Sequence, residues 1–251
     1  MDSICILGAG GFIGKHVAKT FPNAVALRRA DLDLTDAEAT REYFSKNQFK
    51  LVINCAAIGG SRLRADEDDM FEWNVAMFSN VRRFAKYDHM IWFSSGAADK
   101  ANTPYGAAKK IIEDMAKNDP KIYILKIWGC FGPGEPEQRL LATGIREGYV
   151  KIAKDRLFDF IHVSDVMLVI KEIINSDFNL EPKFMNMIYP ENPTLLSDVL
   201  TMAKIPFIIS SQNLDEPYTG VCNIAWLKPV LKERVQEYVN EGRRFHNEIP
   251  Y

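Results

Sequence analysis

Two groups of residues in this chain have types and spacings suited to chemistry. The first is Gly8-Ala9-Gly10-Gly11-Phe12-Ile13-Gly14, which follows the apolar run Ile4-Cys5-Ile6-Leu7 and precedes Val17 and Ala18, in helical step with Ile13. A glycine turn between a strand and a helix leaves backbone N–H groups and the positive end of the helix dipole facing the turn, an arrangement suited to pyrophosphate. Gly8, Gly11 and Gly14 are the spaced set, and Phe12 and Ile13 lie in the same cradle. The next strand ends at Leu27-Arg28-Arg29. An acid there would bond the adenosine ribose hydroxyls and repel a 2′-phosphate, whereas guanidinium groups bind one through charge-assisted hydrogen bonds. NADP(H) is therefore the expected cofactor, against the plainer reading of two solvated surface arginines, and Asp33-Leu34 is placed to border the adenine.

The second group is Tyr105-Gly106-Ala107-Ala108-Lys109, where a phenol and an ammonium four residues apart share one helical face. An ordinary tyrosine has a pKa of about 10, so acid–base work near neutrality needs a cation that favours the phenolate. Lys109 supplies that cation. Ser94-Ser95 closes the preceding apolar strand at its C-terminal edge, where open α/β sheets bind ligands, and a hydroxyl there can bond a substrate carbonyl.

The elements that must position these residues follow from periodicity. Strands are expected at 4–7, 24–27, 51–54, 90–93 and 122–127, alternating with helices that open at the glycine turn, at a Thr35–Glu38 capping box, over 66–87 and over 105–117. Fully apolar strands alternating with helices imply a parallel sheet covered on both faces. The fold class is accordingly α/β, a Rossmann-type doubly wound parallel sheet over 1–130, with a small C-terminal substrate-binding lobe over 131–251. In that second stretch the spacing predicts a helix near 137–147, an extended segment at 158–163, a helix to Asn175, a short strand at 184–187, and helices from Leu195 and Lys228.

Composition narrows the function classes. Of 251 residues, 47% are hydrophobic and 25% charged, and 31 Lys+Arg against 33 Asp+Glu give a net charge of −2, so no basic footprint for nucleic acid is present. No apolar stretch is long enough to span a membrane. The four cysteines Cys5, Cys55, Cys130 and Cys222 form no CxxC pair and read as reduced thiols in a cytoplasmic protein, with Cys130 a small packing residue. No clustered ligands point to a metal. His16 is expected to face solvent, His162 to bond within its own segment, and Trp73, Met77 and Phe78 to form core.

In combination these residues resemble the extended short-chain dehydrogenase/reductases that act on nucleotide sugars. The similarity is collinear over nearly the whole chain: Gly8 to Gly14, Asp33-Leu34-Thr35-Asp36, Asn54-Cys55-Ala56-Ala57, Asn74, Ser94-Ser95, Tyr105 with Lys109, Gly132-Pro133-Gly134, Asp159-Phe160-Ile161-His162-Val163-Ser164-Asp165, Phe184-Met185-Asn186 and Thr194-Leu195. The resemblance implies Tyr105 as proton donor or acceptor, Lys109 on the nicotinamide ribose, Ser95 on the carbonyl and Asn74 as a supporting polar group. It places Ala56 and Ala57 beside the cofactor and makes the 66–87 helix a homodimer element.

Departures from the family pattern sharpen the chemistry. Sugar dehydratases of this family carry an Asp-Glu pair immediately after the catalytic hydroxyl, and Gly96-Ala97 stand there instead. Residues 27–36 and Ala57-Ile58-Gly59-Gly60 look closest to GDP-L-fucose synthases, which epimerise and then reduce a 4-keto-6-deoxy sugar using a Cys just after the serine and a downstream His. Here Gly96 follows Ser95 and residues 135–150 contain no His, so the two groups those enzymes use to epimerise have no counterpart, while keto reduction keeps its Tyr, Lys and Ser. The expected activity is NADPH-dependent reduction of a nucleotide-linked 4-keto-6-deoxyhexose. The alternatives are a nucleotide-sugar epimerase with tightly held NAD(P), and a non-catalytic NADP-binding sensor or scaffold, kept open by the short second lobe.

Overall fold

The computed structural model describes residues 3–60 and 65–247, with side chains up to residue 242. The first half runs β1 (Ile4–Leu7), α1 (Phe12–Thr20), β2 (Val25–Leu27), α2 (Ala37–Lys46), β3 (Gln48–Asn54), α3 (Met70–Phe84), β4 (Lys86–Ser95), α4 (Ala97–Lys100), α5 (Pro104–Ala116) and β5 (Ile122–Ile127). There follow β6 (Gly129–Phe131), α6 (Leu140–Glu147), β7 (Val150–Lys154), β8 (Leu157–Phe158), β9 (Phe160–His162) and α7 (Val163–Asn175). The chain continues with β10 (Phe184–Met187), β11 (Thr194–Leu195), α8 (Leu196–Met202), β12 (Phe207–Ser211) and α9 (Leu231–Asn247).

Six strands form one sheet in the order β10-β5-β4-β3-β1-β2. β1 pairs in parallel with both β2 and β3, and β3 with β4. Such strands are covered on both faces, which is why Val52, Ile53, Met90, Ile91 and Ile122 to Leu125 are buried without alternation. From β1 the chain moves outward to β2, then crosses to β3 on the other side of β1. That reversal creates a crevice at the C-terminal ends of β1 and β3, the place where doubly wound sheets take their ligands.

Two compact units are present, one built from residues up to Lys126 together with Ile170–Met185, the other from Ile127–Val169 and from Asn186 onward. The sheet therefore draws its β10 edge from the later part of the chain, which a linear division at residue 130 does not allow for. In the second unit β6 pairs with β9 and β7 with β12, both in parallel, and β8 pairs antiparallel with β11. Its buried polar centre is Asp165, which accepts from Arg234 Nη2 at 2.6 Å and Nε at 3.0 Å and from the Tyr189 hydroxyl. His162 contacts Ser164 Oγ at 2.6 Å within its own segment.

Several local expectations are corrected. Helix α2 is capped by Asp36, whose carboxylate accepts from the Glu38 and Ala39 N–H groups; Thr35 instead bonds Asp33 at 2.7 Å. The helix read over 66–87 is shorter at both ends. Asp66 spends its carboxylate on the preceding loop, and Lys86 and Tyr87 pair with Gln48 and Phe49 of β3. Periodicity along one segment cannot register such a partner. His16 is half-buried edge-on to Phe12, with ring centroids 5.5 Å apart. The short elements α4, β6, β7 and β12 had no sequence signal strong enough to read.

Removing Arg234 would strand the Asp165 carboxylate, which is fully buried. Arg234→Met is expected to lower unfolding free energy by about 3 kcal/mol or more, read from urea denaturation, because a buried charge deprived of its partner is strongly unfavourable.

Candidate active site

Backbone meets backbone at the C-terminal ends of β1 and β3. Gly8 has φ of +74°, and a Cβ there would stand 2.7 Å from the Cα and N of Ala56. A Cβ on Gly14 would stand 2.2 Å from Gly8 O, so α1 can begin under the turn only with glycine at that point. Gly10 and Gly11 differ from these two. A Cβ at Gly11 would meet nothing nearer than Gly8 O at 3.5 Å, and at Gly10 nothing nearer than the Arg28 side chain at 3.7 Å. Packing within the protein does not demand glycine at these exposed positions, so the room they leave suits a ligand. Gly11 caps α1 without a side-chain acceptor, and the positive end of the helix dipole faces the turn there. The cradle thus fits a pyrophosphate-bearing cofactor.

The arginines after β2 are not equivalent. The Arg28 side chain runs beside Gly10 at the turn, whereas Arg29 is held by Asp33 Oδ2 through Nε and Nη2, both at 3.3 Å. Thr35 donates twice to the other oxygen of Asp33, and these bonds hold its carboxyl below the ordinary aspartate value. Leu34 is buried in the hydrophobic core and its carbonyl accepts from Asn80 Nδ2 at 2.9 Å, so its side chain packs inward and does not border the adenine. Ala56 N–H donates to Asn54 Oδ1 at 3.1 Å, and Ala57 is exposed beyond it.

Tyr105 and Lys109 do share a face of α5, which starts at a Thr103 cap with Pro104 in its first turn. Lys109 is only 3% exposed. Its Nζ donates to Phe93 O at 2.7 Å and lies 4.6 Å from the Trp92 ring and 5.6 Å from the Tyr105 ring. Burial pushes the ammonium down to about 7, while Glu113 and Cys55 favour its charged form. Ser95 is half-buried at the end of β4, where its Oγ accepts from Ala97 N at 3.2 Å. Asn74 exchanges bonds with both backbone groups of Ile58, at 2.7 and 3.1 Å, and donates to Met70 O at 2.6 Å. Its role here is to fix the loop that leaves β3.

Asp66 was not singled out from the sequence. It accepts from Gly60 N at 3.0 Å and from Tyr105 N at 3.3 Å, tying the same loop to the first turn of the tyrosine helix. Gly60 lies against the Tyr105 ring, where a Cβ would approach Cε1 to 2.7 Å. The only available signal was an acid downstream of a glycine pair.

The family model described as the NAD dependent epimerase/dehydratase family matches residues 4–187. No curated protein sequence matches. Among solved structures, a GDP-mannoheptose C4 reductase from Campylobacter jejuni with NADP bound aligns at TM-score 0.77 and 15% identity, covering 97% of this chain and 98% of that one. A GDP-L-fucose synthetase from Naegleria fowleri bound to NADP aligns at TM-score 0.72 and 18% identity, over 98% and 94%. A UDP-glucose 4-epimerase from Thermotoga maritima aligns at 0.72 and 16%, over 97% and 99%. At these identities the likeness establishes the fold.

Two measurements test this geometry. Arg28→Ala is expected to weaken NADPH binding roughly 10- to 100-fold, as for a lost charge-assisted hydrogen bond, with NADH binding unchanged. Arg29→Ala should cost only a few-fold, since Asp33 already engages that side chain; titration calorimetry with both cofactors reads the difference. The second concerns stability. Between about pH 7, where Lys109 loses its proton in the fold, and about 10.4, where it does so unfolded, the unfolded chain holds the extra proton and stability rises with pH. Below that window the cost of burying the ammonium is felt in full. Lys109→Met should therefore be more stable than the parent below pH 7, with the advantage shrinking as pH rises through the window.

Proposed function

As the chain belongs to the NAD dependent epimerase/dehydratase family, we propose that it is an NADPH-dependent reductase of the keto group of a nucleotide-linked sugar, a 4-keto-6-deoxyhexose made by a separate dehydratase. The observation that carries this reading is that Lys109, on one face of α5 with Tyr105, is bonded to the strand end that carries Ser95, in a sheet whose glycine turn leaves room for a dinucleotide. It is supported by the sequence after Ser95, where Gly96-Ala97 lack the acid and base that water loss would need. The NADP-bound C4 reductase and fucose synthetase of the same fold point the same way.

NADPH supplies the hydride when bound. The chain's own residues manage the oxygen and the proton. Ser95 Oγ donates to the carbonyl oxygen, stabilising the negative charge that develops there. Tyr105 gives its phenolic proton to that oxygen, and the Lys109 ammonium stabilises the phenolate that remains. Asn74 and Asp66 keep the loop at Ile58 to Gly60 in place beside the tyrosine. The glycine cradle with Phe12 and Ile13 would hold the pyrophosphate and Arg28 the 2′-phosphate, and the second compact unit contributes the nucleotide-sugar pocket. The protein works as a cytoplasmic homodimer.

A nucleotide-sugar epimerase is the second reading, favoured by the fold shared with the Thermotoga maritima 4-epimerase. An epimerase recycles its hydride, so net consumption of NADPH separates the two. Incubation with GDP-, UDP- and dTDP-linked 4-keto sugars is expected to oxidise NADPH with one of them. Tyr105→Phe should lower kcat about 10²- to 10⁴-fold while NADPH binding stays within a few-fold. Full reductase activity in that variant would remove the proton-donor role, and epimerised product without cofactor oxidation would favour the second reading.

A further inference from the structure

Beneath the reacting face of α5 lies a buried charge cluster that the reduction does not use directly. Tyr105, Lys109 and Glu113 recur at every fourth residue, so their side chains stand in one row along the helix. Glu113 and Lys126, the latter near the end of β5, are each 4% exposed. Glu113 Oε1 accepts from Ser94 Oγ at 2.5 Å and from Lys126 Nζ at 3.1 Å. Lys126 Nζ also donates to Asp99 of α4, the short helix that follows Ser95. Since Lys109 bonds Phe93 O, the stretch 93–99 is gripped at Phe93, Ser94 and Asp99, with Ser95 between them.

A buried ion pair is seldom the most stable filling for a core, and an apolar pair of similar volume often serves stability equally well. An apolar pair cannot hold a hydroxyl and a carboxylate at set distance and direction. The groups that do so here sit on four elements packed together: Glu113 beside Tyr105 and Lys109 on α5, Ser94 on β4, Lys126 on β5 and Asp99 on α4, with Cys55 facing Lys109 from the end of β3. We propose that Glu113 and Lys126 are positioning residues of the reducing centre, holding through Ser94 and Asp99 the strand end that presents Ser95 and the Phe93 carbonyl, with Glu113 the anion that faces Lys109. The proposal rests on the assignment of Tyr105, Lys109 and Ser95 to keto reduction. Burial drives the Lys109 ammonium toward its neutral form, and Glu113 opposes it.

The test compares the full-length wild type with Glu113→Gln and with the double variant Glu113→Leu/Lys126→Leu, which removes both partners of the Glu113–Lys126 pair together. Folding is checked by thermal melting and NADPH binding by calorimetry. Two readouts decide. In steady-state reduction both variants are expected to lose about 10- to 100-fold in kcat, the scale of a small misplacement of reacting groups, with KM within a few-fold of wild type. In ¹³Cε-lysine NMR, with the Lys109 resonance assigned by its absence in Lys109→Met, the Lys109 midpoint in Glu113→Gln should fall by about one pH unit. A merely structural pair would move neither. Wild-type kcat in the double variant, or an unmoved Lys109 midpoint in Glu113→Gln, overturns the proposal. Should the double variant fail to fold, the near-isosteric Glu113→Gln carries both readouts. If the wild type reduces none of the sugars, the functional assignment falls, and the Lys109 midpoint still decides whether Glu113 acts on it.

Discussion

Where β1 and β3 end side by side, their backbones come too close for a side chain at Gly8, and much of the molecule follows from that contact. With Gly8 at positive φ the chain turns sharply enough for α1 to start directly above the strand, and Gly14 lets the helix rest on the turn. The same contact places Ala56 next to the glycine cradle. It also marks the reversal in strand order that opens the crevice. One steric constraint thereby sets the cofactor cradle and the direction of everything beyond it.

The other end of the crevice is governed by charge withheld from water. Lys109 is buried beneath Trp92 and Tyr105 and bonded to a strand carbonyl, and its buried neighbours Glu113 and Lys126, with the half-exposed Asp99, form a nearly balanced set. Such a cluster does little for net stability, because desolvation offsets much of the attraction. Its effect is geometric, since each hydrogen bond holds one backbone or side-chain group within reach of the next. The second unit repeats the device around Asp165, Arg234 and Tyr189. A buried ionic network is thus a general way for this chain to hold loops and strand ends, and its chemical meaning depends on what it holds.

Under the proposed chemistry, stability and activity pull against each other at Lys109. The folded state is burdened by an ammonium that water would stabilise far better, and the same burial makes that ammonium strong as an electrostatic partner for a phenolate. The arginines after β2 show the complementary case on the surface, where an adjacent Asp33 decides which of two neighbouring guanidinium groups is available.

The strand–turn–helix at Gly8 to Gly14, the parallel α/β class, the extent of β5 and the pairing of Tyr105 with Lys109 on one helical face were all legible in the order of the residues. These rest on local rules: glycine spacing, apolar runs and the helical period act within a few residues and need no distant partner. The remainder depends on contacts made in three dimensions. That β10 joins the main sheet, that Tyr87 belongs to a strand, that Asp66 serves Tyr105 and that Glu113 meets Ser94 and Lys126 are facts about groups 13 or more residues apart along the chain. A buried carboxylate reads as an ordinary surface acid until its neighbours are known, because burial and hydrogen-bond geometry are properties of packing and leave no periodic trace in the residues themselves.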